Sequence, residues 1–209
     1  EVEALRNWSH QRARPASKSL FLQRAESLTD IEKRNIAIHE AGHALMMKYR
    51  FNMTPVFVSV DTYRNFKTFI PMDEVIRTTF TKRDLESEIG VIMGGMVAED
   101  ELCGNESKTV GASQDLMQAT EIAKKMVVEY GFGEIMKNKS LMVLQDYALT
   151  SGNEILEDIQ KILDNAKEKT GEVMSKNKGV LLSLVKRLSD DILMNRDSLN
   201  GFFREHPLE

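Results

Sequence analysis

His39-Glu40-Ala41-Gly42-His43 is the stretch on which the reading of this 209-residue chain turns. Around it, residues 32–47 include Ile36, Ile38, Ala44, Leu45 and Met46, enough apolar surface to bury a helix. Just upstream, Thr29-Asp30-Ile31-Glu32 has the form of a capping box, a Thr at the N-cap with Glu three residues on. In a helix, residues four apart stand one turn above each other on the same face. Both imidazoles can then reach one metal ion, and Glu40 can address a water bound to it, the core of a zinc hydrolase. Two incidental polar histidines on a helix are the competing reading. A third ligand decides between them.

The composition bounds the rest. Hydrophobic residues make up 42% of the chain, which suits one substantial domain with a real core. The formal charge of −4 argues against a general nucleic-acid partner. Cys103 is the one cysteine, so no intrachain disulfide can form, and a reducing compartment fits. No apolar run approaches the roughly 18–20 residues of a membrane span; the longest candidate, 89–98, is about half that length and holds three glycines. The chain as it stands reads as soluble. It begins with Glu1 and not Met, which favours a piece of a longer protein.

Residues 1–26 read as a basic linker or tail, with Arg6, Arg12, Arg14, Lys18 and Arg24 and an interruption at Pro15-Ala16-Ser17. A basic segment touching phosphate or a neighbouring subunit is the functional alternative. After the metal helix, the β-branched and aromatic run 56–60 predicts a strand, and 66–70 a second. The outer edge of such a sheet can hold an extended peptide. Residues 81–103 return to helical spacing, and Gly94-Gly95 inside that helix suggests close approach by another backbone. A loop is expected over 104–112. A further helix covers 113–130, with Leu116, Ala119, Ile122, Ala123, Met126 and Val127 on one stripe and Gly131 as its stop. Helices over 153–176 and 180–194 fit a C-terminal hairpin turning near 177–179. The fold class is therefore mainly α, with a small β-hairpin or sheet.

A catalytic zinc takes three protein ligands and keeps a position for water. Of the other histidines, His10 lies in the basic tail and His206 beside Pro207, so a carboxylate is needed. Asp115 opens the helix that starts at 113, where its ordinary role would be to complement the helix dipole. Glu99 and Asp100 are the rivals. From the residues alone, Asp115 and Glu99 stand level.

Over roughly residues 27–205 the sequence resembles the peptidase domain of FtsH-type AAA metalloproteases. The resemblance is carried by Glu32-Lys33-Arg34 leading to His39-Glu40-Ala41-Gly42-His43-Ala44, then Gly94-Gly95-Met96-Val97-Ala98-Glu99-Asp100. It continues in Gly111-Ala112-Ser113-Gln114-Asp115-Leu116, Ala119-Thr120, Ile122-Ala123, Met126-Val127 and Tyr130-Gly131, in the same order. The resemblance implies Asp115 as third ligand of a Zn2+ cofactor, Glu40 as catalytic base and Glu99 as a support nearby. It implies a zinc-site core over 27–131 and C-terminal helices over 132–205. It further implies polypeptide substrates, a six-membered homo-oligomer, and an upstream ATPase and membrane anchor. The full-length protein would then be membrane-anchored, with this part on the cytoplasmic side. No nucleotide-binding glycine loop occurs in these residues. Two departures stand out: Met96 replaces the usual Arg after the paired glycines, and the family's Arg-Gly strand motif is not recognisable in 61–69. A divergent, non-catalytic oligomerisation module of the same fold is the alternative reading.

Overall fold

The structure, a computed structural model, describes residues 28–60, 68–69, 80–104, 110–135, 137–138, 140 and 152–209. The basic segment 1–26 lies outside them, as does most of 61–69. The described residues fall into two compact units, one drawn from Glu1–Thr78 and Asn177–Glu209, the other from Thr79–Lys176.

The first unit is built on α1 (Asp30–Phe51). Its capping box is formed as expected: Glu32 N–H donates to the Thr29 hydroxyl oxygen at 3.3 Å, and Thr29 N–H donates to the Glu32 carboxylate at 2.8 Å. The Thr29 hydroxyl also donates to that carboxylate, at 2.7 Å, and holds the Glu32 carboxyl below its ordinary pKa. At the far end Asn52 takes the left-handed conformation with φ +51° and terminates the helix. Between the caps, all residues from Ala37 to Met47 are buried. A helix covered all round is an inner element, not a surface one.

Its cover comes from α6 (Lys178–Asp191) and from a three-stranded sheet. On α6, Leu181, Leu184, Val185 and Leu188 are buried, each contributing about 1.5–3 kcal/mol relative to exposure. The sheet has the order β2-β1-β3, with β1 (Phe57–Ser59) antiparallel to both β2 (Thr68–Phe69) and β3 (Leu193–Asn195). Val58 stands opposite Thr68 on one side and Met194 on the other.

β3 corrects the expectation of a helix running to Met194. The helix stops at Asp191, and Ile192 turns the chain at φ +62°, a region a β-branched residue rarely enters. The turn is held from both sides: Ile192 N–H donates to Leu188, and the Ile192 carbonyl accepts from Val60 at 2.8 Å. Asn195 then ends the strand and caps α7 (Arg196–Glu205), its side chain accepting from Ser198 N–H.

The second unit is all helical among the described residues: α2 (Lys82–Ile92), α3 (Gly94–Cys103), α4 (Ser113–Val128) and α5 (Gly152–Lys176). The single helix expected over 81–103 is broken at Met93, whose N–H closes α2 onto Ile89. Gly94 and Gly95 thus lie in the first turn of α3, where helix propensity matters least, and both are buried. α5 packs on α2, α3 and α4. Thr170 of α5 is fully buried and its hydroxyl donates to the Gly90 carbonyl of α2 at 3.5 Å. Gly131 follows α4 with φ +65°, the stop foreseen for it.

The loop after α4 is clamped by a buried carboxylate of α5. Asp158 accepts from Glu134 N–H at 3.0 Å and from Ile135 N–H at 3.0 and 3.1 Å. A Cβ at Gly133 would collide with the Asp158 carboxylate. Gly133→Ala is therefore expected to destabilise the chain by about 1–3 kcal/mol, because either the clamp or the loop must move. Urea unfolding checks this, and an unchanged midpoint would show that the loop yields freely.

Glu88 of α2 is half-buried, and that burial raises its carboxyl above the ordinary 4.5. An acid raised on folding favours the folded state below its unfolded pKa, and that contribution is lost as pH rises through the folded value. Glu88→Gln is accordingly expected to raise the melting temperature at pH 7–8 and to have little effect near pH 4. Thermal unfolding at the two pH values tests the sign.

Candidate metal centre

α1 carries His39, Glu40 and His43 inside its covered stretch, among Ala, Ile, Leu and Met. Glu40 has no exposed surface, and both imidazoles are buried. Polar groups are costly in such a place unless they are hydrogen-bonded, paired or bound to a metal. The capping box sets the helix register from Thr29, and the four-residue spacing then stacks the two imidazoles. Nε2 of His43 lies 3.1 Å from Nε2 of His39, with the rings edge to face and their centroids 4.7 Å apart. Two nitrogens bound at about 2.0–2.1 Å in a tetrahedron lie roughly 3.3–3.4 Å apart. The imidazole pair therefore fits a shared zinc ion within a few tenths of an ångström.

The carboxylate candidates stand in the second unit. Asp115 is in the first turn of α4 and half-buried. The N-cap position of α4 is Ala112, whose side chain has no oxygen with which to cap. Glu99 is buried on α3, and Asp100 beside it pairs with Lys167 of α5 at 3.2 Å. Asp115 carries carboxylate oxygens of the kind a metal ion takes, as His39 and His43 carry imidazole nitrogens. His206, set aside on sequence grounds, is engaged elsewhere. It stacks on Phe202, and its Nδ1 lies 3.1 Å from the Phe202 carbonyl at the end of α7.

One residue near the candidate ligand departs from the expected pattern. Leu116 belongs to the apolar stripe of α4 with Ala119, Ala123 and Val127, which are all buried, yet it is 43% exposed. Its identity and spacing signalled core. Nothing in the sequence marks where along a stripe the cover ends.

Comparison with known proteins bears on the same residues. The model of a family described as peptidase family M41 matches residues 26–201. The chain is 29% identical over 179 residues to ATP-dependent zinc metalloprotease FtsH 2 of Symbiobacterium thermophilum, covering 81% of this chain and 29% of that protein. It is 31% identical over 189 residues to ATP-dependent zinc metalloprotease FtsH of Syntrophobacter fumaroxidans, covering 81% and 28%. With the mitochondrial inner membrane i-AAA protease supercomplex subunit YME1 of Saccharomyces cerevisiae it shares 36% over 109 residues, 51% of this chain and 15% of that one. The chain thus spans less than a third of the length of these curated relatives.

Proposed function

The chain belongs to peptidase family M41, and from that premise we propose that it is the zinc-dependent endopeptidase domain, over 27–205, of an FtsH-like ATP-dependent protease. The observation that carries this reading is the fully buried Glu40 beside a buried imidazole pair at metal-sharing distance. His39, His43 and Asp115 would hold the zinc, with Glu99 supporting the site from nearby. When bound, the ion supplies a water acidified to a pKa of about 7 and a polarised scissile carbonyl. Glu40 does the proton work: its carboxylate accepts a proton as water attacks the carbonyl carbon and delivers it to the departing amide nitrogen.

Partners follow from the same premise. The substrates are unfolded or membrane-associated polypeptides, the chain works in a homo-oligomeric ring of six, and an ATPase and a membrane anchor stand upstream. This part then faces the cytoplasmic side. Among the described residues, no helix is long and apolar enough to cross a membrane. Metal content by mass spectrometry, with casein hydrolysis in the presence and absence of a chelator, tests the reading. Zinc near one equivalent with chelator-sensitive hydrolysis supports it. Bound zinc without hydrolysis of casein or short peptides overturns it in favour of the assembly module.

A further inference from the structure

One residue, Asn177, separates α5 from α6, and there the chain passes from the second unit, which ends at Lys176, back into the first. An asparagine at the N-cap of a helix ordinarily turns its side-chain oxygen to a backbone N–H of the first turn. Asn177 holds that position in α6 without making the bond. It is 2% exposed, and its amide is engaged with the far end of the chain. The Glu209 N–H donates to Oδ1 of Asn177 at 2.8 Å, and Nδ2 of Asn177 donates to the Glu209 carbonyl at 3.5 Å. The amide thus pairs with both backbone groups of one residue, as a neighbouring strand would, across 32 positions of sequence. Both residues belong to the first unit.

The residues that deliver Glu209 are held in turn. His206 closes α7, its N–H donating to the Phe202 carbonyl at 2.9 Å and its ring stacked on that of Phe202. Pro207 follows, with φ fixed by its ring, and Leu208 is half-buried. We propose that residues 206–209 form a strap which, by seating the Glu209 backbone on Asn177, locks the crossing between α5 and α6. With the strap seated, Asn177 is fixed in its turn by a contact that the local sequence does not supply. With the strap lifted, a buried amide loses the tail that pairs with it, and the crossing opens locally to water. The strap is a conformational device separate from the peptidase reading and does not rest on it.

Because the contact runs through the backbone of Glu209, two substitutions there isolate it. Glu209→Pro removes the N–H donor at unchanged chain length, whereas Glu209→Ala keeps it. Limited trypsin digestion of the whole chain, read by mass spectrometry, compares two sets of cuts. Cuts after Lys176 and Lys178, exposed residues on either side of Asn177, report the crossing. Cuts after Lys124 and Lys125, within α4, report opening elsewhere. Where opening and closing are fast, cleavage follows the population of the open form. Glu209→Pro is expected to raise the ratio of crossing cuts to α4 cuts about tenfold, the weight of a hydrogen bond lost with its buried partner left behind. Asn177→Ala raises the ratio as well, and the double variant goes no higher than the larger single one, since both break one contact. Glu209→Ala leaves the ratio at the wild-type value. If Asn177→Ala fails to fold by circular dichroism, the pair of variants at 209 decides alone. An unmoved ratio in folded Glu209→Pro overturns the strap. An equal rise in Glu209→Ala overturns it too, because the effect would then lie in the side chain. So does a rise of both sets of cuts by one factor, which marks a general loss of stability.

Discussion

Glu40→Gln is expected to lower casein hydrolysis by about 10²–10⁴-fold, the usual weight of general acid–base catalysis, while zinc stays bound and the fold is kept. The substitution is close to isosteric at a position with no exposed surface, so packing around α1 is preserved. A carboxamide, however, cannot take the proton of the attacking water. The imidazole nitrogens of His39 and His43 remain where they were, 3.1 Å apart. Zinc content, circular dichroism and the rate are measured on the same preparation. A variant that hydrolyses casein near the wild-type rate would refute the role of Glu40. One that loses zinc would show that Glu40 is itself part of the metal's support.

Asp115→Ala is expected to lower zinc affinity beyond the 10–100-fold typical of residues that only support a ligand, and to remove activity with it. The reason is ligand number: two imidazoles alone leave the ion short of the three protein donors a catalytic zinc takes. Glu99→Ala is expected to stay within that 10–100-fold range, since its proposed role is to support the site from a buried position on α3. Competition with a zinc-binding dye measures both. Full zinc retention in the variant at 115 together with loss in the variant at 99 would reverse the assignment. Because Glu99 is buried, its variant is compared at a temperature where circular dichroism shows it folded.

How far these residues could be read beforehand depends on the range of the interactions that place them. The capping box at Thr29 and Glu32, the stacking of His39 on His43 and the stop at Gly131 all act within one or two helical turns. Residue identity and spacing settle such features, so the sequence determined the start of α1 and the stacking of its two imidazoles, the helical class and the short strand at 57–59. The choice of Asp115 over Glu99 was not of this kind. It came from the family resemblance, because two carboxylates at different helix positions look alike to any local rule.

Other features were decided only by tertiary structure. The apolar run through Leu188, Ile192 and Met194 continues a helix by pattern, with no Gly or Pro to stop it. It becomes a strand because β1, far away in the chain, offers an antiparallel partner and the Ile192 carbonyl accepts from Val60. Gly133 and Asp158 look unrelated in sequence, yet the loop closes on that carboxylate with no room for a Cβ. Leu116 has the identity and spacing of a core residue and is nevertheless open, since the length of cover over a helix is set by the elements packed on it. Local hydrogen bonds and helical periodicity are written in neighbouring residues. Strand pairing, clamps and the limits of burial depend on what distant segments bring, and only the assembled chain contains that information.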